Sequence, residues 1–167
     1  MTLAKFKIMI TAAVITLSDK GFRGERKDES GPVIADMLKG LCEVKYYDVL
    51  PDEKELIKKK LLQYVNKVDL ILTTGGTGLS PRDITPEATL EVIEREVPGI
   101  AEAMRIEGLK KTRKSMLSRA VAGVKGQTLI INLPGSPKAV RENLKVILDV
   151  IPHAVEKIKG STEECAR

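Results

Sequence analysis

The run VDLILTT, Val68 to Thr74, passes directly into GGTGLSPRDITPE. A short apolar stretch of this kind is expected of a strand buried on both faces of a sheet. Such a strand needs a covering layer on each side, and the sequence supplies one repeatedly. An apolar, β-branched run ending at Val14–Leu17 is the first strand, followed by a polar loop from Ser18 to Ser30. SGPVIADMLKG then reads as a helix, with Ser30 as candidate cap, Pro32 in the first turn and Gly40 closing it. VKYYDVL is the second strand. PDEKELIKKKLLQYVN is a helix with an acidic first turn and Leu56, Ile57, Leu61, Leu62 and Val65 at helical spacing. After the glycine loop, TPEATLEVIERE starts a helix with Thr85 as cap and Pro86 at its first position, and a further helical piece covers roughly 99–111. SRAVAGVKGQTLIINLPGSP reads as a strand, a turn at Lys125–Gly126 and the strand TLIINL. Pro137 to Lys157 is helical by periodicity, with a kink at Pro152.

The alternation predicts an α/β layered fold with a mostly parallel sheet. Ligands in such sheets sit beyond the carboxyl ends of the strands. Four loops are thereby singled out: Ser18–Ser30, Asp48–Glu53, Thr73–Thr85 and LPGSPK. With 167 residues, 43% of them hydrophobic, and neither a linker nor an internal repeat, residues 1–167 are expected to form one domain.

The net charge of +5 is dispersed, which suits either a solvated surface or a site that receives polyanions. Nucleic acid is disfavoured, because aromatic residues make up only 3% and stacking platforms are scarce. Cys42 and Cys165 are too few and too distant for a disulfide framework or a metal cage, so a reducing cytoplasm is inferred. IMITAAVITL follows Lys5 and Lys7 as a secretory signal would, but no small-residue cleavage site follows it. It is also too short to cross a bilayer, and a buried strand is the expectation.

Gly75, Gly76 and Gly78 permit positive φ and carry no side chain, so successive amides can converge on an anion. Thr74 and Thr77 add hydroxyls, and the helix after Thr85 adds its N-terminal field. Neither the Walker pattern nor G-x-G-x-x-G is present. A turn that merely reverses the chain is the alternative. Arg82 and Asp83 lie in the same loop, and Asp52 follows the second strand. Two carboxylates beside a phosphate call for a hard cation between them, and Mg²⁺ binds in that way. Taken alone, Asp52 also suits the start of a helix. Gly135, Ser136 and Lys138 offer a second phosphate turn, or else a strand-to-helix turn capped by Ser136 with Lys138 on the surface. The single histidine, His153, is placed deep in the C-terminal helix pattern, where neither a triad nor a histidine-rich zinc site would have it. Transfer between two phosphates needs no histidine, because positioning and charge neutralisation can carry it.

LILTTGGTGLSPRDITPEATLEVIEREVPG and MLSRAVAGVKGQTLIINLPGSPKAV, with TLSDKGF, DESG and LPDEKE, resemble the molybdenum-cofactor biosynthesis domain family. The likeness is nearest to its molybdopterin adenylyltransferases, including the N-terminal domain of gephyrin, and runs from about Val14 to Ile158. It implies a three-layer α/β/α fold assembled as a homotrimer. It implies adenylylation of molybdopterin by Mg-ATP with release of pyrophosphate, and a molybdate-insertion protein as partner. By the same resemblance Asp52 and Asp83 match the essential aspartates and are the candidate metal ligands. Gly75, Gly76, Thr77 and Gly78 match the phosphate-binding turn. Ser18, Asp19, Ser118, Arg119, Pro134, Gly135, Ser136 and Lys138 match other pocket segments, and Arg82 and Lys138 are candidate phosphate-holding cations. The rival expectations are a carrier that binds molybdopterin without chemistry, a basic nucleic-acid-binding module, and a pyrophosphatase that releases AMP without pterin.

Overall fold

The computed structural model describes residues 9–162; Lys5, Lys7 and Cys165 lie outside the described residues. Its six strands are β1 (Ile10–Leu17), β2 (Cys42–Leu50), β3 (Leu70–Thr74), β4 (Arg95–Glu96), β5 (Ala122–Lys125) and β6 (Thr128–Leu133). They form one sheet in the order β2-β1-β3-β6-β5-β4. β2, β1, β3 and β6 pair parallel, whereas β5 pairs antiparallel with both β6 and β4. The expected mostly parallel α/β sheet is therefore present. The β5–β6 connection falls at Gly126–Gln127, beside the predicted turn.

The helices are α1 (Asp19–Phe22), α2 (Ser30–Met37), α3 (Lys54–Tyr64), α4 (Thr85–Val92), α5 (Pro98–Leu109), α6 (Pro137–Ile147) and α7 (Ile151–Ile158), with a 3₁₀ turn at Arg113–Leu117. Strand side chains alternate between two cores, because successive Cβ atoms point to opposite faces. Ala13, Ile15 and Ile71 pack with α3 and α4. Ala12, Val14, Leu70 and Leu72 pack with α2, α5, α6 and α7 on the other face. Three layers result. Ile71 has no exposed surface, and truncating it to alanine would cost about 2–5 kcal/mol through lost transfer energy and a residual cavity. Among the described residues no helix is long and apolar enough to cross a membrane.

Four local expectations need correction. Ser30 does not cap α2. The Asp28 carboxylate accepts from the amides of Ser30 and Gly31, both at 3.1 Å, while the Ser30 hydroxyl donates to the Gly135 carbonyl at 2.5 Å. Thr85 is inside α4 and donates its hydroxyl to the Gly75 carbonyl at 3.0 Å, so it fastens the glycine loop instead of capping a helix. The C-terminal segment is broken, not kinked. α6 ends at Ile147 and α7 begins at Ile151, with Pro152 in its first turn, where a missing amide is no loss. The edge strand β4 was not expected, since two exposed charged residues carry no strand pattern.

Candidate active site

β1, β2, β3 and β6 all end at one edge of the sheet, and the chain passes from β2 across β1 to β3. The four predicted loops consequently meet over a reversal of strand order, where open α/β sheets form a crevice. A cavity of about 340 Å³ lies there, lined by Ser18, Asp52, Gly75, Gly76, Asp83 and Gly135, among others.

The glycine loop takes its shape from close packing. Gly75 has φ +100°, and a Cβ on it would strike the Leu17 carbonyl. Gly76 has φ +67°, and its Cβ would strike the Thr85 hydroxyl and come within 3.1 Å of Asp52 Oδ1. Neither position admits a larger residue without strain. The Gly75 amide donates to the Leu133 carbonyl at 3.2 Å, and the Thr74 hydroxyl to the Pro134 carbonyl at 2.6 Å. Among the described residues, no protein group accepts from the amides of Gly76, Thr77 or Gly78. Arg119 holds the loop from behind. Its amide donates to the Thr77 carbonyl at 2.9 Å, its Nε to the Gly78 carbonyl at 2.7 Å, and its Nη2 to the Asp83 carbonyl at 2.6 Å. Nη1 pairs with Glu87.

Asp52 and Asp19 exchange bonds across the ends of β1 and β2. The Asp52 amide donates to Asp19 Oδ1 at 3.0 Å, and the Asp19 amide to Asp52 Oδ2 at 3.2 Å. The other Asp52 oxygen, Oδ1, is buried without a hydrogen-bond partner among the described residues. Burial pushes the Asp52 carboxyl above its ordinary range; the Asp19 amide opposes this, and the Asp19 and Asp83 carboxylates add to it. Asp83 Oδ2 accepts from the Ser80 amide at 3.0 Å and lies against Gly78. Asp52 and Asp83 thus line one crevice, and Asp52 Oδ1 has no donor among the described residues.

Arg82, a candidate phosphate-holding cation, is engaged by Asp19, through Nε at 2.9 Å and Nη2 at 2.8 Å. That two-pronged bond holds the Asp19 carboxyl below its usual range. Lys138 is exposed on α6 and does not line the crevice, because the helix turn carries it outward. Ser136 both lines the crevice and caps α6, accepting from the Ala139 amide at 3.2 Å. Thr77, Gly78, Ser118 and Pro134 line a second cavity of about 400 Å³ together with Leu79 and Leu117. The glycine loop is the wall between the two cavities.

Sequence reasoning missed Asp28, which accepts from the Thr16 hydroxyl at 2.7 Å and from Tyr47 as well as from the two α2 amides. It also missed Arg26 and Lys27, which line the crevice. DESG marked the segment, but nothing local shows which strands reach it.

A family model described as "Probable molybdopterin binding domain" matches residues 13–153. The chain belongs to the molybdopterin-binding domain family. Within this family it is 41% identical to the molybdopterin adenylyltransferase of Helicobacter pylori (strain ATCC 700392 / 26695), over 91% of this chain and 89% of that protein. It is 44% identical to gephyrin of Dictyostelium discoideum over 92% of this chain but 24% of gephyrin, so it spans about a quarter of that relative's length. Among solved structures, the molybdopterin biosynthesis enzyme MoaB of Thermus thermophilus superposes with a TM-score of 0.87 at 54% identity, covering 92% of this chain and 98% of that one.

Proposed function

We propose that this chain is a molybdopterin adenylyltransferase, which joins the AMP portion of ATP to the terminal phosphate of molybdopterin and releases pyrophosphate. One observation carries it above all: the buried, unpartnered Asp52 oxygen lies beside loop amides that no described protein group accepts from. An anion cradle with a carboxylate against it suits a phosphate that arrives with a cation. The adenylyltransferase relative matched over nearly its whole length supports the choice of reaction.

An oxygen of the molybdopterin phosphate forms a bond to the α-phosphorus of ATP. The bond from that phosphorus to the α–β bridging oxygen breaks, and its electron pair leaves with pyrophosphate. The attacking phosphate is already an anion, so no side chain has to remove a proton. The work left to the protein is alignment and charge neutralisation. The amides of Gly76, Thr77 and Gly78 hold phosphate oxygens, and Arg119 with Thr85 keeps those amides in place. Arg82 fixes Asp19, and Asp19 in turn fixes Asp52 through their reciprocal bonds. Asp52 and Asp83 fit a Mg²⁺ ion that shares its ligands with phosphate oxygens, and when bound that ion supplies positive charge against the developing anion.

Two cavities sharing one loop suit a reaction of two substrates. The Asp52 side is polar and takes phosphates; the side with Leu79 and Leu117 takes a ring. We further propose a cytoplasmic homotrimer that passes its product to a molybdate-insertion protein, with the assembly checked by light scattering.

Pyrophosphate release from Mg-ATP, with and without molybdopterin, tests the reaction. Release that depends on pterin and is lost in Asp52→Asn and Asp83→Asn is expected. Tight pterin binding without release in the unaltered protein would leave a carrier instead.

A further inference from the structure

Of the two cations expected to hold phosphate, Arg82 is paired with Asp19 and Lys138 lies outside the crevice lining. A triphosphate bearing several negative charges would nonetheless enter a cavity already lined by the carboxylates of Asp28, Glu29, Asp52 and Asp83. One divalent cation leaves much of that charge uncompensated, so further positive charge is required at the crevice itself.

Arg26 and Lys27 supply it. Both line the crevice, and among the described residues neither is in an ion pair. Arg23, three residues earlier, is taken up by Glu25, with Nε at 2.7 Å. The segment carrying Arg26 and Lys27 is anchored at both ends. At its start the Ser18 amide donates to the Leu50 carbonyl at 2.9 Å and the Ser18 hydroxyl accepts from Gly21. Asp28, the next residue after Lys27, receives donors from Thr16 on β1, Tyr47 on β2 and the first amides of α2. The edge strand β2, its neighbour β1 and a helix thus converge on one carboxylate, which holds the two basic side chains at the crevice mouth. Asp28 keeps its charge but turns both oxygens to these donors, and the exposed Glu29 also lines the crevice.

We infer that Arg26 and Lys27 bind the β- and γ-phosphates of the nucleotide, with Asp28 and Tyr47 as the positioning pair. The inference rests on the transferase reading for the name of the substrate, but the anion site stands on the geometry. The phosphates that leave should lie nearest solvent, and the exposed side chains of Arg26 and Lys27 are at that rim. The deep end, with the loop amides and Asp52, is left to the α-phosphate. Long, flexible cations at the rim can follow pyrophosphate out, whereas a buried clamp would retain it.

Two measurements test this on the full chain: the binding of magnesium pyrophosphate by calorimetry, and the KM values for ATP and for molybdopterin. Arg26→Ala and Lys27→Ala should each weaken pyrophosphate binding and raise the KM for ATP by about three- to tenfold, as expected for a charge-assisted bond at an open rim. The KM for molybdopterin should stay the same, and Arg26→Lys should restore most of the loss. Tyr47→Phe should give a smaller rise in the KM for ATP with kcat unchanged. Unaltered pyrophosphate binding in the Arg26→Ala/Lys27→Ala double variant would overturn the proposal, as would a rise confined to the KM for molybdopterin. If the unaltered protein turned over no ATP, the transferase reading would fall; loss of pyrophosphate binding in the double variant would still support the anion site.

Discussion

Asp69 and Asp52 occupy opposite ends of the same sheet, both partly withdrawn from water, and the fold treats them in opposite ways. Asp69, at the amino end of β3, accepts from the Thr11 amide at 2.9 Å and the Thr11 hydroxyl at 3.1 Å, and pairs with Lys159 at 2.6 Å. Burial pushes its carboxyl up, but Lys159 and Thr11 outweigh that, and the net position is below the ordinary range. Asp52, beyond the carboxyl end of β2, keeps one buried oxygen without a donor, and burial leaves its carboxyl raised. A buried charge whose partners are built into the fold is a structural tie. One left short of partners keeps its desolvation cost until a cation arrives, and that cost is its affinity for a ligand.

The largest effect expected of this contrast is on catalysis. Asp52→Asn should lower the initial rate of pyrophosphate release by roughly 100-fold or more, the scale of losing one preorganised electrostatic group. Its melting temperature without Mg²⁺ should be unchanged or higher, because an uncompensated charge has been removed. Asp69→Ala should do the reverse. It leaves the Thr11 amide and Lys159 without their acceptor, at about 1–3 kcal/mol of stability, or roughly 2–10 °C in melting temperature. Its kcat should be retained, and a lost kcat at full folding would break the comparison.

A smaller effect is expected from Mg²⁺. At ten times its dissociation constant, a ligand that binds only the folded state adds about 1.4 kcal/mol. Scanning calorimetry should show that gain in the unaltered protein and in Asp69→Ala, but not in Asp52→Asn. An equal gain in Asp52→Asn would place the cation elsewhere.

The subtlest difference is in pH dependence. Both carboxyls start from a reference value of 3.8. Asp69 is depressed in the folded state, so its stabilisation is present above about pH 4 and is lost as pH falls through its folded value. Asp52 is raised, so its contribution favours the fold below about pH 4 and is lost as pH rises through its folded value. Melting temperatures from pH 3 to 6 should therefore flatten below about pH 4 in Asp69→Ala and above it in Asp52→Asn. Identical curves for the two variants would remove the distinction between tie and site.

Asp52 and Asp69 also show what local sequence can report. PDEKEL and KVDLIL each place an aspartate beside an apolar run, and the reading of Asp52 as an acid at a helix start was open for that reason. What separates the two is whether Thr11 and Lys159, or Asp19 and Gly76, stand opposite. Lys159 is 90 residues from Asp69 in the chain, and no spacing rule reaches that far.

The strands were legible because period and composition act over a few neighbours: LILTT and TLIINL are apolar enough to need cover on both faces. The glycine loop was legible because the positive φ and close packing found at Gly75 and Gly76 favour glycine. Parallel strands place their ends at one edge, so the meeting of the four loops also followed from the pattern. β4 was not legible, because its pairing with β5 alone makes it a strand. Nor were the caps at Ser30 and Thr85, since both residue types suit a cap and the structure uses their hydroxyls for bonds to Gly135 and Gly75.

An α/β sheet with its chemistry at the carboxyl edge, and a glycine loop able to meet an anion, are thus written in the order of residues. They follow from hydrophobic period and allowed backbone angles, which are local. Who partners whom is settled only in the folded whole: Arg82 with Asp19, Arg119 with the glycine loop, Asp28 with three elements at once, and Asp52 Oδ1 with no described group. Those assignments depend on strand register and helix placement summed over the whole core, because register sets where the loops that carry these residues begin and end.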